Sequence, residues 1–332
     1  MNRKPQILII ADFPNWAYYF IQQFIVKNLS EEFDIYSDFL GFNTSRKSKR
    51  PWVRFKNLLD RRKYQNIRKD REYDLVVSLA HYIPDLVDVK WTSKKSIIGI
   101  YTDGFPPRNA NFDGSIDDFY NQKLKKYDAI VVGANSIKSI YESVSKNVYF
   151  ANMAYDQDFF NRLSPKVENN TKDFIIGWTG QATRDFKGYY THVVPAIEIV
   201  QKIYPQITLK SRFSGPIETL PRFYDDVDLV VIASDADAGP FLFCEASLMS
   251  IPCISTRIGM VQDVIVDNVN GIFIDKRIDI IVENIIHLYE NRDILHSMSR
   301  RIRSDFICKL GATVMTTKWI ELFNNVLASD EQ

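Results

Sequence analysis

Two carboxylates eight positions apart, Asp237 and Glu245, flank a glycine-containing turn in the stretch LVVIASDADAGPFLFCEASLMSIPCISTRIG, residues 229–259. The apolar run from Leu229 predicts a strand ending at Ser234, and Asp235-Ala-Asp237-Ala-Gly239-Pro240 predicts a turn. A helix then opens near Phe241. Glycine lets backbone approach a ligand closely, and proline suits the first helical turn, where its missing N–H is not needed. The free N–H groups of such a turn form an anion site for a phosphate, while the carboxylates accept hydrogen bonds from paired hydroxyls. Read singly, Asp237 is equally an N-cap and Glu245 an ordinary helical glutamate. A second stretch, Gly177-Trp-Thr-Gly180-Gln-Ala-Thr-Arg184-Asp-Phe-Lys187-Gly188, has a strand ending in a glycine turn, then two cations three residues apart. Cations so placed neutralise a diphosphate, at roughly 1.5–3 kcal/mol per charge-assisted bond. A solvated Arg and Lys at a helix start is the plainer reading, and the helix dipole disfavours it.

These residues need a scaffold of strands and helices. Short apolar runs alternate with longer helical patterns along the chain, the mark of a parallel sheet wrapped by helices. Expected strands in the first half are 7–11, 33–36, 75–79, 96–101, 129–133 and 148–152. Asp12-Phe-Pro14 reads as a helix start with a carboxylate cap, leading into a helix over 16–29. The polar segment 161–172 reads as a linker. Strands at 174–177, 207–211, 229–233, 253–255 and 271–274 follow, and 278–327 reads as nearly all helical. The expected architecture is α/β, two Rossmann-like domains facing across a cleft, with ligands beyond the carboxyl ends of the strands. The divisions are 1–160 for an N-terminal domain, 161–310 for a C-terminal domain, and 311–332 for a terminal helix packing back towards the first. A chain of 332 residues is long enough for two such cores.

The stretch 229–263 resembles the signature of the family 4, or group 1, retaining glycosyltransferases of GT-B fold. Asp237-x7-Glu245, Ala246, Pro252, Gly259 and Gln262-Asp263 carry the resemblance. It implies that a nucleotide-diphosphate sugar is the co-substrate, with no other cofactor and no metal. Glu245 then holds the donor ribose, Asp237 contacts sugar hydroxyls, and backbone from Gly239 through Pro240 and Phe241 faces the donor. The same resemblance assigns Arg184 and Lys187, beside the Gly180 turn, to the diphosphate, and Ser214-Gly215 to a loop abutting the nucleobase. Asp237 stands where the family usually has Glu, one methylene longer. The pattern covers residues 129–328, while the first half departs from it: Asp12-Phe-Pro-Asn-Trp16 replaces a glycine loop, and Tyr101-Thr102-Asp103 keeps only the Asp. The resemblance implies that 1–160 is the acceptor side and 161–310 the nucleotide-sugar donor side; Asp103 and His81, each just after a strand, are candidates to face the reaction from the first half, and a structural role for His81 is the alternative.

Other readings remain open on the residues alone. Asp235-Ala-Asp237 matches the DxD motif of metal-dependent transferases, a glycosyltransferase-like subunit need not be catalytic, and a nucleotide-sugar epimerase shares the fold. Net charge of +1 excludes a general polyanion binder. Locally, however, residues 46–71 hold twelve cations (among them Arg46, Arg61, Arg62, Lys63 and Arg71) against Asp60 and Asp70, interleaved with Trp52, Phe55 and Leu58. That composition suits an anionic membrane surface, and no nucleic-acid module is recognisable. Cys244, Cys253 and Cys308 have no metal-ligand spacing and read as reduced thiols. No signal-peptide core or membrane span is apparent. The expected setting is therefore cytoplasmic, at the inner face of the membrane, with a sugar or lipid-linked acceptor in cell-surface glycan synthesis.

Overall fold

A computed structural model describes residues 3–40, 72–86, 92–108, 110–161 and 173–329. Of the linker 161–172, all but residue 161 lies outside the described residues, as does the basic segment Arg46–Arg71. The chain divides into two compact units, Met1–Met153 with Met315–Gln332, and Ala154–Val314.

The first unit is built on a parallel sheet of six strands among the described residues: β1 (Gln6–Ala11), β2 (Asp34–Phe39), β3 (Tyr73–Ser78), β4 (Ser93–Ile100), β5 (Ala129–Val132) and β6 (Val148–Phe150). Their order is β2-β1-β3-β4-β5-β6. β1 and β5 are apolar at nearly every position and wholly buried, as expected of strands covered on both faces. β2 runs to Phe39, beyond the expected Tyr36, because Ser37 and Asp38 are polar yet buried and so escape a reading based on hydropathy. The terminal helix Ala312–Leu327 joins this unit from Met315 on. Trp319 is buried there and donates its indole N–H to the Asn152 carbonyl at 2.9 Å, and Phe323 packs edge-on against Phe33.

The second unit has β7 (Phe174–Thr179), β8 (Ile207–Arg212), β9 (Leu229–Ile232), β10 (Cys253–Ser255) and β11 (Ile272–Phe273) in the order β11-β10-β9-β7-β8, all parallel. Residues 154–160, which precede the linker in sequence, belong to this unit. Arg303 holds them, donating to the carbonyls of Gln157, Phe160 and Leu248.

In each sheet the chain winds outward in both directions from its first strand. The first changes direction between β1 and β3, the second between β7 and β9. Such switch points open a crevice beyond the carboxyl ends of the two strands, where α/β sheets hold ligands. Among the described residues no helix is long and apolar enough to cross a membrane.

Candidate active site

β7 and β9 deliver the two stretches that the sequence singles out to the switch point of the second sheet. After β9 the chain makes the acidic turn and enters the helix Phe241–Leu248. This helix is mostly apolar on every side and every residue from Leu242 to Leu248 is buried, Glu245 and Ser247 included, so it lies within the core rather than on it. Glu245 is consequently a buried carboxylate. It accepts the Tyr224 hydroxyl at 2.6 Å and the Thr179 hydroxyl at 3.4 Å, and these two hydroxyls lie 3.0 Å apart. Burial pushes the Glu245 carboxyl up to about 7, against the opposing pull of both hydroxyl bonds and the Arg212 charge. A buried carboxylate of raised pKa at a switch point is the kind of group that binding sites collect.

After β7, Gly180 turns the chain at φ 138° and donates its N–H to the Arg212 carbonyl. A single 3-10 turn, Asp185–Lys187, follows and is closed by Gly188 at φ 67°. A side chain on Gly188 would meet the Ala233 carbonyl oxygen at 2.3 Å, so this glycine is what lets the Lys187 turn lie against the end of β9. Lys187 donates to Asp237 at 3.0 Å, both side chains being about one-fifth exposed, and Asp237 also accepts the Gly239 N–H at 3.3 Å. Arg184 opens the same 3-10 turn with its side chain exposed.

Behind the acidic turn stands the loop at 259–260. Gly259 has φ 35°, and a Cβ there would come within 2.2 Å of the Asp237 carbonyl oxygen and 2.3 Å of that of Ala238. Met260 donates its N–H to the Ala238 carbonyl, and its side chain lies under Gly239. The glycine downstream in the sequence pattern thus positions the first carboxylate. Gly259→Ala must displace the 237–238 backbone; we expect a loss of about 2–3 kcal/mol in chemical denaturation, larger than for Ala at open Gly104 adjusted for its own positive φ.

The remaining donor-side candidates gather on neighbouring loops. Pro240 leads into the helix with φ −62°, and half-exposed Phe241 meets Tyr155 edge-on at 5.4 Å. Ser214 is exposed beyond β8, next to Gly215, which has φ 132° and whose missing Cβ leaves room for the Arg212 guanidinium. His81 and Asp103 belong to the first unit, just after β3 and β4. The His81 ring packs edge-on against Tyr82 and Phe119, and Asp103 accepts the Gly104 N–H at 3.1 Å.

The structure adds residues that spacing did not reveal. Tyr224 and Thr179 hold Glu245 from positions 21 and 66 residues away. Lys276 pairs with Asp235 at 2.7 Å, so each carboxylate of Asp235-Ala-Asp237 faces a different lysine, unlike a pair converging on one metal ion. Among the described residues no group of three or more His, Cys, Asp or Glu side chains is arranged to hold a metal. Phe213 is 51% exposed beyond β8 and packs on Tyr189 and Trp178, an aromatic face open to a ligand.

The comparisons with known proteins bear on this same region. Residues 206–305 match the family model of the glycosyl transferases group 1. That span contains Ser214, Gly215, Tyr224, Asp237 and Glu245, and leaves Arg184 and Lys187 outside. A comparison with curated proteins returned no match. Among solved structures, sucrose-phosphate synthase from Thermosynechococcus elongatus is similar with a TM-score of 0.68 at 11% identity, over 98% of this chain and 100% of that one. The Anabaena protein Alr3699/HepE in complex with UDP-glucose has a TM-score of 0.65 at 10% identity, over 97% and 100%. A variant of TarM from S. aureus, in complex with fondaparinux, alpha-GlcNAc-glycerol and UDP, has a TM-score of 0.59 at 16% identity, over 75% of this chain. This chain spans 55% of that TarM chain's length. At these identities the likeness shows the fold, which is the two-unit α/β architecture of the GT-B glycosyltransferases.

Proposed function

We propose that this chain transfers a sugar from a nucleotide-diphosphate sugar to an acceptor hydroxyl, with retention of anomeric configuration and without a metal ion. The observation that carries the reading is the pairing, at one switch point, of buried Glu245 with the Lys187–Asp237 ion pair, Glu245 and Asp237 lying within the matched span. Glu245 accepts the ribose hydroxyls, Asp237 the hydroxyls of the transferred sugar, and Phe213 with the Ser214-Gly215 turn offers a face to the nucleobase. Lys187, Arg184 and the N–H groups that open the helix at Phe241 surround the diphosphate.

In transfer, the bond between the anomeric carbon and the diphosphate oxygen breaks as the acceptor oxygen approaches from the same face. Negative charge grows on the departing phosphate, and preorganised positive groups there are the main catalytic lever. Lys187 is fixed by Asp237 before the donor arrives, so little reorganisation is needed. The acceptor proton passes to the departing phosphate oxygen, which explains how no side-chain base is required. The UDP-glucose and UDP complexes of structurally similar proteins agree with a nucleoside diphosphate as the leaving group. The basic composition of Arg46–Arg71 supports work at the inner face of an anionic membrane on a lipid-linked acceptor in glycan synthesis.

Two measurements test the chemistry. The first-formed product, followed by proton NMR, should carry the donor's anomeric configuration; an inverted product contradicts the same-face route. Turnover should persist in excess EDTA, because cationic side chains supply the neutralisation. Loss in EDTA with restoration by Mn²⁺ would instead give Asp235 and Asp237 to a metal.

A further inference from the structure

The segment that precedes the linker is fastened to both ends of the helix Phe241–Leu248. Asp156 closes the segment's turn, accepting the Asp158 and Phe159 N–H groups at 3.0 and 2.9 Å. Arg303 ties its Gln157 and Phe160 carbonyls to that of Leu248 at the far end of the helix. At the near end the Tyr155 ring stands edge-on to Phe241, 5.4 Å away. The ring is thereby fixed. Its hydroxyl is shut off from solvent and has no oxygen or nitrogen partner among the described residues. The Cys244 thiol lies beside it, but sulfur is a weak acceptor, and the thiol hydrogen is directed at the Met260 sulfur, 3.4 Å away. Packing on Phe241 needs only a ring. A phenylalanine would supply that without burying an unpartnered hydroxyl, so the oxygen asks for an explanation.

Two carboxylates, Glu245 and Asp237, are within electrostatic reach of that oxygen. Glu245 sits on a buried helix and already accepts two hydroxyls, from Tyr224 and Thr179. Asp237 sits on a turn, and its partners are Lys187 and the Gly239 N–H, the latter at 3.3 Å. In transfer Lys187 answers a second anion. As charge gathers on the departing phosphate the ammonium is shared, and its hold on Asp237 weakens. A carboxylate that loses its cation in a partly buried setting needs another donor, and Lys276 is engaged with Asp235. Burial, then the Cys244 thiol and the Glu245 and Asp237 carboxylates, raise the Tyr155 phenol well above its usual value, so it keeps the proton it would donate.

We infer that Tyr155 is a positioning residue for Asp237, its buried hydroxyl held in reserve to donate to this carboxylate when Lys187 is drawn to the diphosphate. Its part in transfer rests on the glycosyltransferase reading, whereas its pairing with Asp237 belongs to the ligand-free chain once Lys187 is removed. The hydroxyl steadies Asp237 while that carboxylate holds the sugar, and itself touches neither sugar nor phosphate.

Removing Lys187 brings the pairing about without any ligand. In the wild-type background Tyr155→Phe should leave the melting temperature unchanged or slightly higher, since no hydrogen bond is lost. In Lys187→Ala the same change should lower it by about 2–4 °C, and in Lys187→Ala combined with Asp237→Ala it should again have no effect. With tyrosine labelled by carbon-13 at Cζ, the resonance that Tyr155→Phe deletes should move in Lys187→Ala and return when Asp237→Ala is added. Equal effects of Tyr155→Phe on melting in all three backgrounds, or a resonance that stays in place, overturn the reserve role. Steady-state kinetics on UDP-, GDP-, ADP- and dTDP-sugars test its part in the reaction. Tyr155→Phe should lower kcat about tenfold and leave KM for the donor within twofold, a split that loosened packing would not give. A kcat within twofold of wild type overturns that part. If the wild type turns over no donor while the Lys187-dependent effect on melting holds, the Tyr155–Asp237 pairing stands and the transfer reading falls.

Discussion

Replacing Lys187 by Ala should lower turnover of the nucleotide sugar by about 10²–10³, the scale of losing one preorganised contact to developing charge. The magnitude follows from position. Lys187 sits on a turn locked by Gly188 against the end of β9 and is held 3.0 Å from Asp237, so its charge is in place before the phosphate departs. Lys187→Arg should recover part of the rate, since a cation remains, but not all of it, because the guanidinium is broader than the ammonium that the Asp237 pair fits. The fold should be nearly indifferent. Both partners are partly exposed, and a pair in that setting contributes about 1 kcal/mol or less. Steady-state kinetics beside a melting curve separate the two effects. Turnover within threefold of wild type in Lys187→Ala would remove the lysine from the leaving-group site.

Glu245→Gln should have opposite effects on stability and on binding. Folding raises the Glu245 carboxyl from its usual 4.5 to about 7, chiefly through burial. Between those values the folded chain keeps a proton that the unfolded chain has released. The stabilising contribution is therefore complete below about 4.5 and is lost as pH rises through about 7. Glutamine keeps the carbonyl that accepts from Tyr224 without the charge, so Glu245→Gln should be more stable than wild type at pH 8, by at most about 3 kcal/mol. That advantage should fade as pH falls towards 5. Nucleotide affinity should fall meanwhile by roughly 10–100-fold at pH 8, the value of a hydrogen bond to a charged group. Denaturant curves at the two pH values and titration with the nucleoside diphosphate read both. A variant no more stable at pH 8, or one that binds undiminished, would make Glu245 a core residue only.

The fold was legible because its strands are short apolar runs in a chain that otherwise alternates with helical patterns. β1, β5 and β9 are nearly continuous Ile, Leu, Val and Ala, and their assignment needs only hydropathy and length. β2 reads short in the sequence for the converse reason, since Ser37 and Asp38 are buried despite being polar. The acidic turn was legible because glycine, proline and two carboxylates fall within one strand–turn–helix unit. Partners were not: Tyr224 and Thr179 reach Glu245 through the packing of β7 and a short helix against the Phe241–Leu248 helix, and no spacing encodes that. Asp12 shows the opposite failure. An Asp followed by Pro14 carries every local sign of a helix cap, yet Asn15 at positive φ opens the loop and tertiary burial takes the carboxylate elsewhere.

On the proposed function, the second unit binds a nucleotide-diphosphate sugar and releases the nucleotide. A panel of UDP-, GDP-, ADP- and dTDP-sugars, tested in EDTA by thermal shift and by release of nucleoside diphosphate, measures it most directly. At least one donor should stabilise the chain, by about 2.7 kcal/mol at a hundredfold excess over its dissociation constant, and be turned over, and Lys187→Ala should lose the turnover. A chain that no member of the panel stabilises, and that releases nucleotide from none, would contradict that function.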